Sequence, residues 1–216
     1  MAAGPHPPRY TYRKWPPNGK PPSTSASLGL ACYIDAPLTL LYPTWMTDFY
    51  HPFAPSASEL RGRHPDISEI LPNLFVGEYP RVEDALWLKQ TFGISGVLSL
   101  QDADDIDLKG LDISVLKSTY KEHQIEFART PIADYDCHTL ATALPQALNQ
   151  LHTSIQNGRR VFLHCNAGCN RAPTVAIAYL HVHHAMSLED ARDFFKARRP
   201  CGPYMNVLYE HFGQNG

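Results

Sequence analysis

The sequence predicts an α/β domain with a central, mostly parallel sheet flanked by helices, behind an irregular Pro-rich amino-terminal extension. Three observations carry this. Short apolar runs alternate with segments of helical periodicity from about residue 65 onward, which implies strands and helices in layers. Of the 19 prolines, 12 fall at or before Pro65, in stretches such as "GPHPPRY" and "WPPNGKPPS" that sustain neither helix nor central strand. At 216 residues and 44% hydrophobic composition, the chain is long enough to bury one good core. The expected organisation is an extension over residues 1–60 and a folded domain over 61–216.

Taken in order, "LFVG" reads as a strand, "RVEDALWLKQTF" as a helix and "GVLSL" as a second strand. A helix follows within "LDISVLKSTYKEH", then a strand in "IEFART" and a helix in "LATALPQALNQLHTSI". Val161, Phe162 and Leu163 form a run too brief for a helix and rich in strand formers, so it reads as a buried strand. "APTVAIAYLHVHH" is helical, with Pro173 near its first turn. "LEDARDFFKAR" is a late helix that Ser187 and Asp190 begin in the manner of a capping box. The extension carries Tyr10, Tyr12, Trp15, Tyr33, Tyr42, Trp45, Phe49, Tyr50 and Phe53, too many aromatics for a plain linker, and is expected to lie against the domain. It has no acidic residue before Asp35 and carries Arg9, Arg13, Lys14 and Lys20, a composition that also suits an organelle transit peptide.

A net charge of −2 and 19% charged residues give no electrostatic case for nucleic acid or for a polybasic membrane contact. The five cysteines, at 32, 137, 165, 169 and 201, form neither an even disulfide framework nor a zinc spacing. Nothing at the start reads as a secretory segment, so a cytoplasmic setting is expected, or an organelle stroma if the extension is a transit peptide. No metal and no cofactor is expected, and the sequence does not give the oligomeric state.

The chemistry concentrates in "HCNAGCNR", residues 164–171, between the buried strand and the Pro173 helix. By itself Cys165 is open to four readings: small hydrophobe, metal ligand, disulfide half or nucleophile. Its surroundings favour the last. At such a junction the free amides of the loop and of the first helical turn converge, and the helix dipole adds partial positive charge, so an anion is welcome. Gly168 lets the backbone curl, and Asn166, Ala167, Cys169 and Asn170 supply the remaining amides. The same forces stabilise a thiolate on Cys165, and Arg171 adds a fork able to grip two phosphate oxygens. His164 orients the cysteine backbone or packs beneath the loop, with a metal ligand as the remote alternative.

Cys165, Gly168 and Arg171 fit the His-Cys-two-residues-Gly-two-residues-Arg signature, by which the chain resembles the cysteine-dependent protein tyrosine phosphatases, and its surroundings resemble the dual-specificity branch. A bare Cys-to-Arg spacing is similar also to rhodaneses and some arsenate reductases; the preceding His, the Gly and the strand-to-helix setting favour the phosphatases. The resemblance implies hydrolysis of phosphate monoesters through a cysteinyl-phosphate, with a carboxylic acid that protonates the leaving oxygen. "PIADYDCHTL" offers Asp134 and Asp136. In the resembling family the acid stands roughly thirty residues before the cysteine, and Asp134 stands 31 before Cys165, so Asp134 is the expected acid. Asp136 then caps the next helix, helps the loop to close or touches substrate.

Three further features are similar to plant-type glucan phosphatases: "SLQDADDIDLKGLDI", "KARRPCGP" and the Ala172-Pro173 pair. They imply a phosphorylated glucan or another sugar phosphate as substrate, on whose ring Tyr135 is placed to stack. A phosphoprotein substrate is the alternative, and a non-catalytic phosphate-binding module the third reading. The chain departs from most dual-specificity phosphatases in one respect: they carry Ser or Thr after the arginine, and here it is Ala172, so either Thr174 substitutes or the second step relies more on Asp134. Cys137 and Cys169 are candidates to trap an oxidised Cys165 as a disulfide, or are incidental small residues.

Overall fold

The computed structural model describes Gly62 and residues 64–213. Residues 1–60, with the expected packing of the aromatic extension and Cys32, lie outside the described residues. The elements are β1 (Ile67–Leu71), β2 (Leu74–Gly77), α1 (Asp84–Phe92), β3 (Gly96–Ser99), α2 (Ala103–Leu108), α3 (Ile113–Glu122), β4 (Glu126–Arg129), α4 (Cys137–Gln156), β5 (Val161–His164), α5 (Arg171–His184), α6 (Leu188–Lys196) and α7 (Met205–Phe212).

The strands form one sheet in the order β1-β2-β5-β3-β4. β2, β5, β3 and β4 run parallel, and β1 pairs antiparallel with β2 at the edge. The strand β5 is therefore central, with Leu163 beside Val76 on one side and Leu98 on the other. Because successive strand residues face opposite ways, β5 feeds two cores. Val161 and Leu163 join Leu74, Val76 and Leu98 against α4, α5, α6 and α7. Phe162 joins Phe75 and Val97 against α1 and α3. Burial on both faces explains the continuous apolar composition of these strands.

The mostly parallel α/β layering follows the sequence expectation. Three elements do not appear in it: β1, whose "ISEIL" mixes polar and apolar residues; α2, a six-residue acidic helix closed by a reciprocal Asp102–Asp105 capping box; and α7. Capping explains where several helices begin. Asp112 and Asp136 accept from the free amides at the starts of α3 and α4, and Ser187 Oγ accepts from Asp190 N at 3.1 Å at the start of α6.

One close approach locks the sheet edge to the loop after β5. A side chain on Gly168, at φ +66°, would collide with the Gly77 backbone, and one on Gly77 would collide with the Asp66 carbonyl oxygen. Both positions need glycine for contact, and Gly168 needs it for conformation as well. Gly77→Ala is expected to lower the unfolding free energy by about 1–3 kcal/mol through overpacking against backbone that cannot swing aside. Urea titration of the purified variant reads this directly, and an unchanged midpoint would show that the β1–β2 edge yields freely.

Candidate active site

The loop from Cys165 to Asn170 leaves β5 at the carboxyl end of the sheet and enters α5 at Arg171. Its carbonyls are all held from outside. Cys165 O accepts from His164 Nδ1 at 3.1 Å, and Asn166 O from Tyr79 N at 3.0 Å. Ala167 O and Gly168 O accept from Arg199 at 3.1 and 2.8 Å. Cys169 O accepts from Gly202 N at 2.8 Å, and Asn170 O from Thr174 N and Oγ1 at 3.0 and 2.8 Å. A planar trans peptide points its N–H opposite to its C=O, so carbonyls tied outward turn the following amides toward the loop's centre. The result is an anion nest with Cys165, 3% exposed, at its floor.

Arg171 is 1% exposed and divided between two tasks. Its Nη1 donates to Asp105 Oδ2 at 2.5 Å and to Ile132 O at 2.8 Å. Its Nε and Nη2 have no hydrogen-bond partner among the described residues, although Nη2 lies 3.1 Å from Asp134 Oδ2. One edge of the guanidinium is thus anchored, and the edge suited to two-oxygen recognition is open. Burial alone pulls the guanidinium pKa down; the charges of Cys165, Asp134 and Asp105 outweigh it and raise the value above its ordinary range. Arg171 is a permanent cation.

Asp105 belongs to a network the sequence did not reveal. Its carboxylate also accepts from Asn166 Nδ2, and Asn166 Oδ1 accepts from Gln101 Nε2 at 2.7 Å. Gln101, Asp105 and Asn166 are all buried. The capping box that starts α2 fixes the same carboxylate, since Asp105 Oδ2 accepts from Asp102 N at 3.2 Å. A buried cation needs such a partner; the spacing in "QDADDIDL", with Asp at both the cap and the third helical position, marks the start of α2 but not the contact with Arg171.

The segment between β4 and α4 brings Asp134 to Arg171, while Asp136 turns the other way and accepts from His138 N at 2.8 Å and Thr139 N at 3.2 Å as the cap of α4. Tyr135 stands between them at φ +59°, 51% exposed at the mouth of the site. Tyr204, at the start of α7, packs beside this segment; burial raises its phenol pKa, and the neighbouring Asp134 charge raises it further. Thr174 is fully buried, its proton given to Asn170 O and its oxygen accepting from Tyr204 N at 2.9 Å. That hydroxyl is already engaged, so the geometry disfavours Thr174 as the substitute for a hydroxyl after Arg171.

Cys137, Cys165, Cys169 and Cys201 are free thiols. Burial first, and then the Cys165 charge, push the Cys169 thiol up to about 11, and its Sγ lies 3.5 Å from Ala167 O. Cys137 Sγ accepts from Asn206 Nδ2 at 3.7 Å. Among the described residues no group of three or more His, Cys, Asp or Glu is arranged to hold a metal ion.

His164 is fully enclosed, and burial brings its pKa down to about 4, so the ring is neutral with its Nδ1 proton on Cys165 O. The value in the fold is lower than the ordinary 6.5, so the neutral ring's contribution to stability is complete above pH 6.5 and is lost as pH falls through about 4. His164→Asn keeps a short donor and removes the titration. The difference in thermal midpoint between the parent protein and this variant should be constant above pH 6.5 and shift against the parent between 6.5 and 4. A difference that stays flat across that window would contradict this assignment.

Comparison with known proteins agrees with this architecture. The model of the dual specificity phosphatase catalytic domain matches residues 74–212. A phosphoglucan phosphatase DSP4, amyloplastic, of Castanea sativa is 28% identical over 141 residues, covering 64% of this chain and 38% of its own length. Laforin of Mus musculus is 29% identical over 145 residues, covering 62% of this chain and 44% of its own. The chain therefore spans less than half the length of these curated relatives. Among solved structures, Tk-PTP in its active form superposes with a TM-score of 0.59 at 19% identity, covering 68% of this chain and 97% of that one, and shares the fold. The family match runs from β2 through the Asp134 segment and the Cys165 loop to α7, and the chain belongs to the dual specificity phosphatase catalytic-domain family.

Proposed function

We propose that the protein hydrolyses phosphate monoesters through a cysteinyl-phosphate intermediate. The open edge of Arg171, buried with no hydrogen bond at Nε or Nη2 and with Asp134 Oδ2 3.1 Å from Nη2, stands beside a nest of inward amides and carries this reading. A tetrahedral phosphate satisfies both sets of donors at once. The Cys165 thiolate attacks phosphorus, the P–O bond to the leaving group breaks, and Asp134 gives its proton to the leaving oxygen. Water then attacks phosphorus, Asp134 takes a proton back, and the S–P bond breaks to return the thiolate and release phosphate. Asn166, Ala167, Gly168, Cys169 and Asn170 contribute amides, and Arg171 follows charge onto the equatorial oxygens.

For substrate, we favour a phosphorylated glucan or another sugar phosphate. Tyr135 presents an exposed ring beside Asp134, suited to a sugar face, and one relative is a phosphoglucan phosphatase by name. A phosphoprotein is the second reading, supported by the dual specificity protein phosphatase 2 of Mus musculus, 29% identical over 131 residues. Release of phosphate from phosphorylated glucan and from phosphotyrosyl and phosphoseryl peptides, measured side by side, decides between them; faster peptide turnover would set the glucan reading aside.

Cys165→Ser should abolish turnover and keep phosphate binding, because the amides and Arg171 persist without the thiolate. Substantial turnover in a clean preparation would exclude the covalent route. The acid is tested through the leaving group: an alkoxide needs its proton far more than an activated phenolate. Asp134→Asn should slow alkyl phosphates by about 10²–10⁴-fold and an activated aryl phosphate much less. Asp136→Asn should show no such contrast and should lower the thermal midpoint instead, since its carboxylate caps α4. The reverse pattern would move the acid two residues along.

A further inference from the structure

Arg199 is a second buried arginine at the loop, and the chemistry above does not use it. It lies three residues past α6, is 3% exposed, and spreads its donors over two parts of the fold. Nε donates to Gly168 O at 2.8 Å and Nη2 to Ala167 O at 3.1 Å. Nη1 reaches Asp66 Oδ2 at 3.2 Å and Ser68 Oγ at 3.3 Å, at the start of β1. One edge of the guanidinium spans two consecutive loop carbonyls, and the remaining nitrogen is pinned to the sheet edge.

Those two carbonyls belong to the peptide units whose amides are those of Gly168 and Cys169. Glycine at 168 has φ +66° and no Cβ, so these units meet the least resistance to a crankshaft flip. A flip would aim carbonyl oxygens into the anion site, where they repel phosphate instead of donating to it. Gly77 blocks bulk at Gly168 but offers no hydrogen bond to either carbonyl. Among the described residues, Arg199 alone opposes the flip by hydrogen bonding, with the Cys169 thiol at 3.5 Å as a weak second donor to Ala167 O.

We propose that Arg199 is a positioning residue for phosphate: by holding the Ala167 and Gly168 carbonyls outward it keeps the amides of Gly168 and Cys169 on the transferring phosphoryl group. This rests on the phosphatase reading for its consequence in turnover, and on the loop geometry alone for its consequence in binding. The role requires a planar fork, because two carbonyls and a carboxylate lie in different directions from one side chain, and an ammonium on a flexible stem cannot serve them together. Asp66 is largely exposed and adds little as a charge, yet it fixes the orientation of the fork.

The test compares the full chain with Arg199→Lys, Arg199→Ala and the neighbouring Arg198→Ala, whose guanidinium lies over the Phe194 ring at the surface. Affinity for inorganic phosphate and for orthovanadate is measured by calorimetry, and kcat and KM on an aryl phosphate, with and without added guanidinium ion. Arg199→Ala should lose at least about tenfold in oxyanion affinity and in kcat/KM. Guanidinium ion should restore much of that loss, Arg199→Lys should fall between, and Arg198→Ala should match the parent. Unchanged oxyanion affinity in either folded Arg199 variant overturns the proposal, as does a loss that guanidinium cannot relieve. If Arg199→Ala does not fold, Arg199→Lys decides alone, on affinity measured below its thermal midpoint. A parent protein that binds oxyanions tightly yet turns over no phosphate ester would sink the phosphatase reading and leave the positioning role to be judged on affinity.

Discussion

The buried charge of Arg171 is the constraint from which the site follows. A guanidinium withdrawn from water is tolerated only when its donors are engaged or its charge is balanced, yet a phosphate-gripping arginine must keep one edge free. The fold meets both demands by splitting the side chain. Asp105 and the Ile132 carbonyl take Nη1, which fixes the plane of the guanidinium, and the opposite edge is left for an oxyanion. Asp105 can do this because α2 is short and doubly capped, so its carboxylate is tied to its own backbone before it meets Arg171. Asn166 and Gln101 then extend the same network to the loop and to the end of β3.

A second constraint is the direction of the loop's peptides. An anion nest made of backbone is only as good as the anchoring of its carbonyls, because a peptide unit that rotates presents the wrong dipole. Here the anchors come from widely separated parts of the chain: His164 from β5, Tyr79 from beyond β2, Thr174 from α5, and Arg199 and Gly202 from the turn after α6. The central position of β5 makes this possible, since elements on both sides of the sheet reach its carboxyl end.

This explains what the sequence could and could not reveal. Val161–Leu163, "LFVG" and "GVLSL" are legible as strands because burial on both faces leaves them continuously apolar, and α4 and α5 are legible because their apolar residues recur at helical spacing. The Cys165 loop is legible because its residues are contiguous. Asp105 and Arg199 are not, since 66 residues separate the first from Arg171 and 31 separate the second from Gly168. Both lie in stretches marked by likeness to glucan phosphatases, but nothing local in "DADDIDL" or "KARRP" says which carboxylate or which arginine turns inward. That choice is made by tertiary packing. Asp136 is the converse case, where a local rule sufficed: a carboxylate just ahead of a helical run became its cap.

The residue after Arg171 bears on the second half of the proposed reaction. Ala172 is fully buried in the core shared by α4 and α5 and has no hydroxyl to offer the departing thiolate. Thr174 already gives its hydroxyl proton to Asn170 O and accepts from Tyr204 N, so offering that proton to the departing thiolate means breaking the first of these contacts. Recruiting that hydroxyl would leave Asn170 O with the Thr174 amide in place of two donors. In the proposed reaction, expulsion of Cys165 from the intermediate would then depend on the nest amides and Arg171 to stabilise the thiolate, and on Asp134 to activate water. In that proposal the same carboxyl serves both halves of the cycle, giving a proton in the first and taking one back in the second.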